Sequence, residues 1–166
     1  MLTPAEGSPL KLARVMAAAF VPAGVRLLRG MTLSRTVPAL PVQDIEAAAA
    51  FYRERLGFSV AHADTGFAKL QRDGAELHLW AASDQEWRQR ANLVEDPVCS
   101  GAESFIAGTA SCRIEADQVD ALYAEMKRAE VLHPGDPGSA ADTEWGTREF
   151  AALDLEGNLL TFFQRH

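Results

Sequence analysis

A short hydrophobic pattern occurs twice in this chain, and the second copy begins 83 residues after the first. In both copies an acidic residue followed by glycine separates two apolar runs, which is the pattern typical of a β-hairpin. The copies read Phe67-Ala68-x-Leu70-x-x-Asp73-Gly74-x-x-Leu77-x-x-Trp80 and Phe150-Ala151-x-Leu153-x-x-Glu156-Gly157-x-x-Leu160-x-x-Phe163. The chain therefore contains a duplicated sheet module, and we expect two such modules to curl around one cavity.

The charge of the chain limits the kinds of molecule that it is expected to bind. Residues 31–166 hold 12 Lys and Arg against 22 Asp and Glu, a net charge of −10. Such a field repels the phosphates of nucleic acids and attracts cations, so we expect no nucleic acid partner. A solvated acidic surface that aids solubility explains the same numbers, and both interpretations stay open. Two cysteines, Cys99 and Cys112, are too few for a disulfide framework or a zinc site, which favours a reducing, cytoplasmic compartment.

Residues 1–30 differ from the rest of the chain. They are basic and rich in alanine, and their apolar stretch at 15–25 is interrupted by Pro22 and Gly24. That stretch is too short to span a bilayer, so we expect no membrane partner. We predict an N-terminal extension over 1–30, either disordered or a weak helix, followed by one domain over 31–166.

The predicted elements follow the same order in both halves of that domain. In the first module, residues 36–82, an extended segment at 36–42 precedes a helix capped by Asp44, and strands follow at 59–62, 67–72 and 75–82. In the second module, residues 108–165, a strand at 108–115 precedes a helix capped by Asp117, and segments 149–153 and 158–164 form the closing hairpin. Residues 83–107 are predicted to be an irregular linker. This order predicts an α+β fold, with two β-α-β-β-β modules that form a curled mixed sheet around a cavity.

Three segments carry a resemblance to a known family. They are Val37-Pro38-Ala39-Leu40-Pro41-Val42-x-Asp44, Phe51-Tyr52-x-x-x-Leu56-Gly57-Phe58 and Trp145-Gly146-x-Arg148-Glu149-Phe150-x-x-x-Asp154-x-x-Gly157-Asn158. Over roughly residues 36–164 the chain resembles the bleomycin resistance proteins of the glyoxalase/bleomycin resistance/dioxygenase superfamily, also called the vicinal oxygen chelate superfamily. Those proteins exchange their N-terminal strand between two chains near a proline that Pro38 matches. The resemblance therefore implies a strand-swapped homodimer.

The resemblance also implies where an enzyme of this superfamily would hold its metal ion. The four ligand positions correspond to Val37, His78, Ala110 and Thr161 in this chain. A catalytic divalent metal needs about three protein ligands drawn from His, carboxylate or Cys. One histidine does not supply them, so we expect no metal, no cofactor and no catalytic residue.

Candidate ligand-binding residues come from strand alternation and from the resemblance. Because side chains alternate along a strand, Leu77 and Leu79 are predicted to face the helices, while their neighbours and Phe163 of the last strand face the cavity. The resemblance implies that Phe67 and Trp145 stack on the planar bithiazole group of the drug. The candidates are Phe67, Trp145, Trp80, His78, Glu76 and Phe163. The alternative interpretation, in which His78 is a satisfied strand histidine and Trp80 and Phe163 are core aromatics, stays open.

Taken with the resemblance, these features imply a cytoplasmic, non-catalytic homodimer that binds and sequesters bleomycin-type glycopeptide antibiotics. The cationic tail of such a drug suits the acidic net charge of the domain. Two alternatives stay open, namely a metal-dependent lyase or dioxygenase of the same superfamily and a binder of another small aromatic or cationic molecule.

Overall fold

The computed structural model of the protein describes residues 34–82 and 106–166. The predicted extension at 1–30 and almost all of the predicted linker at 83–107 lie outside the described residues. Every element below belongs to one compact unit, Arg35–His166.

The first module is a four-stranded sheet with one helix. Its elements are β1 (Ala39–Val42), α1 (Ile45–Arg55), β2 (Ser59–Ala63), β3 (Phe67–Arg72) and β4 (Ala75–Ala81). The strand order is β1-β4-β3-β2, with β1 parallel to β4 and the other two pairs antiparallel. The strand predicted at 36–42 is shorter in the structure, where β1 begins at Ala39. Its partner is β4 of the same chain, so strand exchange between two chains stays a prediction.

The second module repeats this arrangement. Its elements are β5 (Ser111–Glu115), α2 (Val119–Arg128), β6 (Ala141–Asp142), β7 (Thr147–Leu153) and β8 (Leu159–Arg165). The strand order is β5-β8-β7-β6, again with the first strand parallel to the last. The predicted α+β fold of two β-α-β-β-β modules with mixed sheets is confirmed.

The duplicated pattern forms a hairpin in each module, but the two connections differ. In the first hairpin Asp73 and Gly74 make up the whole turn, and Asp73 has a φ of 50°. In the second hairpin residues 154–158 connect β7 to β8, and Gly157 has a φ of 94°. The longer loop is held by the carboxylate of Asp154, which accepts hydrogen bonds from the backbone nitrogens of Glu156 (3.0 Å) and Asn158 (2.8 Å).

The two helices begin in different ways. Asp44 caps α1 as predicted, because its side chain accepts a hydrogen bond from the backbone nitrogen of Ala47 at 3.0 Å. The prediction that Asp117 caps α2 is wrong, since the residue at the cap position is Gln118 and it makes no side-chain cap bond. The backbone nitrogen of Val119 instead donates to the side-chain oxygen of Gln164 in β8, at 3.1 Å. A tertiary contact therefore replaces the local cap.

One hydrophobic core lies between the helices and the sheets. The helices contribute residues spaced three or four apart, which are Ile45, Ala48, Ala49 and Tyr52 of α1 and Val119, Tyr123 and Met126 of α2. The strand residues in this core are Leu40, Val42, Ala68, Leu70, Leu77, Leu79, Cys112, Phe150, Ala152, Leu160 and Phe162. The predicted inward placement of Leu77 and Leu79 is confirmed. We call the opposite face of the two sheets, which the alternating strand residues form, the cup face.

A buried polar cluster ties the two modules together. Asp154 is 5% exposed and accepts hydrogen bonds from the hydroxyl of Tyr52 (3.1 Å) and the side-chain nitrogen of Asn158 (2.8 Å). The same nitrogen donates to the backbone carbonyl of Pro41 (2.9 Å), and the side-chain oxygen of Asn158 accepts from the backbone nitrogen of Ala110 (3.1 Å). Buried polar groups with partners avoid the cost of desolvation. The cluster therefore links α1 and β1 to the β7–β8 loop.

Candidate ligand-binding site

The cup face of the first sheet carries most of the predicted ligand-binding residues. Along β4 the core leucines alternate with Glu76, His78 and Trp80, which therefore lie on the cup face. On the neighbouring strand β3, Phe67 pairs with Trp80, Lys69 with His78 and Gln71 with Glu76. The hairpin register thus sets aromatic and polar residues side by side on this surface.

An aromatic group occupies one end of that surface. The ring centroids of Phe67 and Trp80 lie 4.9 Å apart with their planes at 60°, and the ring of His78 meets Phe67 edge-on, also at 4.9 Å. On β2 the ring of His62 lies 6.0 Å from Phe67. All three rings of the Phe67–Trp80–His78 group are half-buried rather than enclosed in the core. Partly exposed flat rings in such a group can stack against a planar ligand.

A polar cluster around Glu76 occupies the other end. One carboxylate oxygen of Glu76 lies 3.2 Å from each of the side-chain nitrogens of Arg35, Lys69 and Gln71, and the other lies 3.2 Å from Nε2 of His78. Hydrogen bonds from Gln71 first, and then from Lys69, lower the pKa of Glu76 to about 2. Lys69, Gln71 and Arg35 were missed by the sequence analysis. The two-residue Asp73-Gly74 turn fixes the β3–β4 register and is the signal that could have found Lys69 and Gln71.

The cup face of the second sheet is built differently. Phe163 lies on it as alternation predicts, but two guanidinium groups lie close to its ring, with Arg113 at 4.8 Å and Arg165 at 5.7 Å from the centroid. Arg113 pairs with Glu149 at 2.6 Å and Arg165 with Glu115 at 3.0 Å. The ring of Phe163 is therefore flanked by cations, which differs from the Phe67–Trp80 pair.

Trp145 lies apart from these residues, in the connection between β6 and β7. Its side chain is 68% exposed, and Gly146 after it has a φ of 81°. The following strand is anchored by Arg148, which donates hydrogen bonds to Asp120 (3.0 Å) and Asp142 (3.1 Å). In residues 34–82 and 106–166 the close pairs of aromatic rings do not include Trp145. Within one chain the structure thus groups Phe67, Trp80 and His78 and leaves Trp145 on a separate turn.

The four positions implied as metal ligands include one error of register. His78 and Thr161 lie on the cup face, but Ala110 packs against the core. Because Cys112 points into the core and Arg113 pairs with Thr161, the cup position nearest to Ala110 belongs to Ser111. A serine hydroxyl is not a ligand that a catalytic divalent metal requires. His78 is therefore still the one suitable metal ligand among the four implied positions.

The described residues also bear on other catalytic chemistry. Across residues 34–82 and 106–166, no three or more His, Cys, Asp or Glu side chains are grouped so that they could hold a metal ion. Burial raises the pKa of the Cys112 thiol to about 12, which keeps it protonated and makes it a core side chain rather than a nucleophile.

The helices described, α1 and α2, are too short and too polar to cross a bilayer.

Comparisons with known proteins place this geometry in a family. Residues 32–162 match the profile of the Glyoxalase/Bleomycin resistance protein/Dioxygenase superfamily. A bleomycin resistance protein from Geobacillus stearothermophilus is 49% identical to this chain over 131 residues, which cover 79% of this chain and 96% of that protein. The match therefore spans both modules.

Solved structures agree at the level of the fold. A bleomycin-binding protein complexed with bleomycin superposes with a TM-score of 0.56 at 26% identity, covering 81% of this chain and all (100%) of that one. A lactoylglutathione lyase from Agrobacterium tumefaciens superposes with a TM-score of 0.59 at 19% identity, covering 81% of this chain and 96% of that one. This second likeness concerns the fold alone, and it places an enzyme among the proteins that share it. From its sequence and its paired modules, this chain belongs to the glyoxalase/bleomycin resistance protein/dioxygenase superfamily.

Proposed function

We propose that this protein is a non-catalytic binding protein that sequesters antibiotics of the bleomycin type. The observation that carries the proposal is the half-buried Phe67–Trp80 ring pair, set on a cup face where the implied metal positions hold one histidine. The 49% identity to a bleomycin resistance protein, and the likeness to a protein complexed with bleomycin, support the choice of ligand. Binding alone would protect the cell, because an enclosed drug does not reach its target.

The candidate ligand-binding residues differ in how well the structure supports a contact with the ligand. Phe67, Trp80 and His78 form one group on the cup face and would receive a planar ring. Trp145 is an exposed aromatic residue on a separate turn, so it would meet the ligand from the side or from a second chain. Phe163 would contribute through the arginines that flank it, and Glu76 through the polar cluster around it.

We further propose a homodimer that works in the cytoplasm. In this dimer the N-terminal strand would be exchanged at Pro38, and we propose that the exposed Trp145 of one chain contacts the cup face of its partner. The free and buried Cys112 fits a reducing compartment. We also retain residues 31–166 as the functional domain and residues 1–30 as an extension of it.

Titration of the full-length protein with bleomycin tests the proposal. Isothermal calorimetry should show saturable binding. Phe67→Ala should weaken this binding roughly tenfold or more, because the ring loses about 1 kcal/mol of stacking energy in addition to the energy of its buried area, and a total loss of about 1.4 kcal/mol is tenfold. Leu155→Ala is the matched control, because it removes an exposed apolar side chain from the β7–β8 loop. An unchanged heat signal at millimolar drug would contradict the proposal.

The fate of the drug separates binding from catalysis. Mass spectrometry should recover bleomycin unaltered after prolonged incubation with the protein. A covalently changed drug, or a stoichiometric metal ion in the purified protein, would favour the enzymes of the superfamily instead.

A further inference from the structure

The polar cluster on the first cup face contains more cationic groups than anionic ones. Arg35 and Lys69 both lie 3.2 Å from the single carboxylate of Glu76, and the imidazole of His78 lies at the same distance. Arg35 and Lys69 alone bring two full positive charges to one negative charge. The local excess is therefore positive, although the net charge of the whole chain is −7.

The carboxylate lies underneath and the donors lie on top. The side chain of Glu76 is 7% exposed, whereas those of His78 and Lys69 are 29% and 36% exposed and that of Arg35 is 60% exposed. A ligand at the cup face would therefore meet N–H groups before it could meet the carboxylate.

Glu76 is also occupied by its own neighbours. Three donors share one of its oxygens and His78 lies against the other, so a cationic ligand would have to displace one of them. The ammonium group of Lys69 carries three N–H donors and its contact with Glu76 uses one direction. Lys69 therefore has donor capacity left toward the cup face, whereas the carboxylate of Glu76 is already shared among four neighbours. The amide oxygen of Gln71 is the acceptor that remains in the cluster, and it carries no full charge.

The acids of the second cup face do not reverse this balance. Glu149 is bound by Arg113 at 2.6 Å and Glu115 by Arg165 at 3.0 Å. The carboxylates of Glu76, Glu115 and Glu149 are thus each paired with arginine or lysine. Asp64, next to the ring group, is held by His62 and by the backbone nitrogens of Gly66 and Phe67. The acidic excess of the chain resides elsewhere, for example at Glu46 and Glu54 on the outer side of α1.

We propose that the cluster around Glu76 is a hydrogen-bond donor surface that selects planar ligands bearing acceptor groups, neutral or anionic, next to the ring that packs on Phe67 and Trp80. Chemical groups of this class are carboxylates, carboxamides and carbamates. The inference shares its site with the proposed function, but it runs against a simple expectation from net charge. The long-range field of the chain attracts cations, while the site itself receives acceptors.

Three probes of one shape and different charge test the inference without the antibiotic. Benzoate offers two acceptors, benzamide one acceptor and one donor, and benzamidine only donors. Binding is followed on the full-length protein by the indole N–H resonance of Trp80, assigned with Trp80→Phe. We expect the affinities to fall in the order benzoate, benzamide, benzamidine, with about fivefold or more between the first and the last, since hydrogen bonds to charged groups are the stronger ones.

Two variants of the cluster should differ in their effect on this preference. Lys69→Met removes the exposed donor and should reduce the benzoate-to-benzamidine ratio to within about twofold of one. Glu76→Gln removes the negative charge beneath the donors and should keep or increase the ratio. Lys127→Met is the matched control, because it removes the same group from the exposed end of α2 and should leave the ratio unchanged.

The outcomes distinguish this inference from the proposed function. Equal or tighter binding of benzamidine, an unchanged ratio in Lys69→Met, or no response of Trp80 to any probe at 10 mM, roughly the ceiling for fragments of this size, would each overturn the inference. If bleomycin binds and the probe order is reversed, the donor surface is wrong and the proposed function stands. If the probe order holds and bleomycin does not bind, the donor surface stands and the antibiotic is the wrong ligand.

Discussion

Glu76 shows how the meaning of one residue depends on its neighbours. In the sequence it is an acid on a strand, placed by alternation toward a cavity, where it would attract a cation. In the structure it accepts from Gln71, Lys69 and Arg35 and is almost fully buried beneath them. The carboxylate of Glu76 therefore holds the side-chain nitrogens of Arg35, Lys69 and Gln71 in place, and it does not itself face a ligand as a hydrogen-bond acceptor.

At the residue scale, Glu76→Gln should destabilise the protein near neutral pH and lose this effect in acid. The folded-state pKa of Glu76 is lowered from 4.5 to about 2, with the Gln71 hydrogen bond as the largest cause. A lowered folded-state pKa means that the stabilisation is fully present above about 4.5 and is lost as the pH falls toward 2.

Urea unfolding of wild type and variant across this range measures the difference. Glu144→Gln is the control, since it neutralises an exposed carboxylate of the β6–β7 turn. A gap between Glu76→Gln and wild type that stays constant from pH 7 to pH 2.5 would contradict the expected linkage, since only a pKa difference between folded and unfolded states makes stability vary with pH, roughly between 4.5 and 2 here.

At the scale of elements, the start of β5 depends on a close approach between two backbone segments. Gly108 has a φ of 78°, and a Cβ at this position would overlap the carbonyl oxygen of Glu156 in the β7–β8 loop. Only glycine meets both requirements, because it lacks a Cβ and takes left-handed φ values without strain. The connection into β5 is therefore shaped by the loop that follows β7.

Gly108→Ala should accordingly destabilise the protein by roughly 2 kcal/mol or more, from left-handed strain of about 1–3 kcal/mol together with the overlap. Gly74→Ala is the matched control in the β3–β4 turn, where an added Cβ would meet nothing within 4 Å. Denaturant midpoints of the two variants give the comparison. Equal midpoints would show that the β7–β8 loop moves aside at no cost.

At the scale of the whole molecule, the two modules share one core and one buried polar cluster. Side chains of α1, α2 and both sheets belong to the same hydrophobic cluster. Asn158 crosses between the modules by donating to the Pro41 carbonyl while it also holds Asp154. Arg72 adds a second link by donating to Glu125 of α2 at 2.9 Å. We therefore expect the two modules to unfold together as one cooperative unit.

Asn158→Ala and Tyr52→Phe should show how much the hydrogen bonds of each residue contribute to the stability of the buried polar cluster. Asn158→Ala leaves the Pro41 carbonyl and the Ala110 nitrogen without their partner and should cost roughly 3 kcal/mol, from about 1–3 kcal/mol for each buried group left unpaired. Tyr52→Phe removes one of several bonds to Asp154 and should cost only about 1 kcal/mol.

Urea unfolding of both variants, followed by circular dichroism and by tryptophan fluorescence, supplies the measurement. Because the core is common to both modules, the two signals should stay coincident in each variant. Separate transitions for the two signals would mean that the modules fold independently. Equal losses of unfolding free energy in Asn158→Ala and Tyr52→Phe would mean that the hydrogen bonds of Asn158 to Pro41 and Ala110 do not stabilise the contact between the modules.

Local signals in the sequence determined the elements that depend on neighbouring residues. The Asp73-Gly74 turn between alternating runs predicted β3 at its observed bounds, and the side chain of Asp44 predicted the start of α1. The repeat at a constant offset predicted the two modules, because each copy carries the same alternation toward the same core. These predictions succeeded since turn, cap and alternation are properties of a few consecutive residues.

Contacts between distant residues decided the rest. The cap of α2 comes from Gln164 rather than Asp117, and the cup position at β5 is Ser111 rather than Ala110, because pairing with β8 sets the orientation of that strand. The environment of Glu76 likewise depends on Arg35, which is 41 residues away. Sequence alone therefore determined that Glu76, His78 and Trp80 of β4 lie on the cup face, because alternation is a local property of one strand. Tertiary packing decided which other side chains join them and the charge balance that results, because a side chain's partners depend on strand register and on distant chain segments.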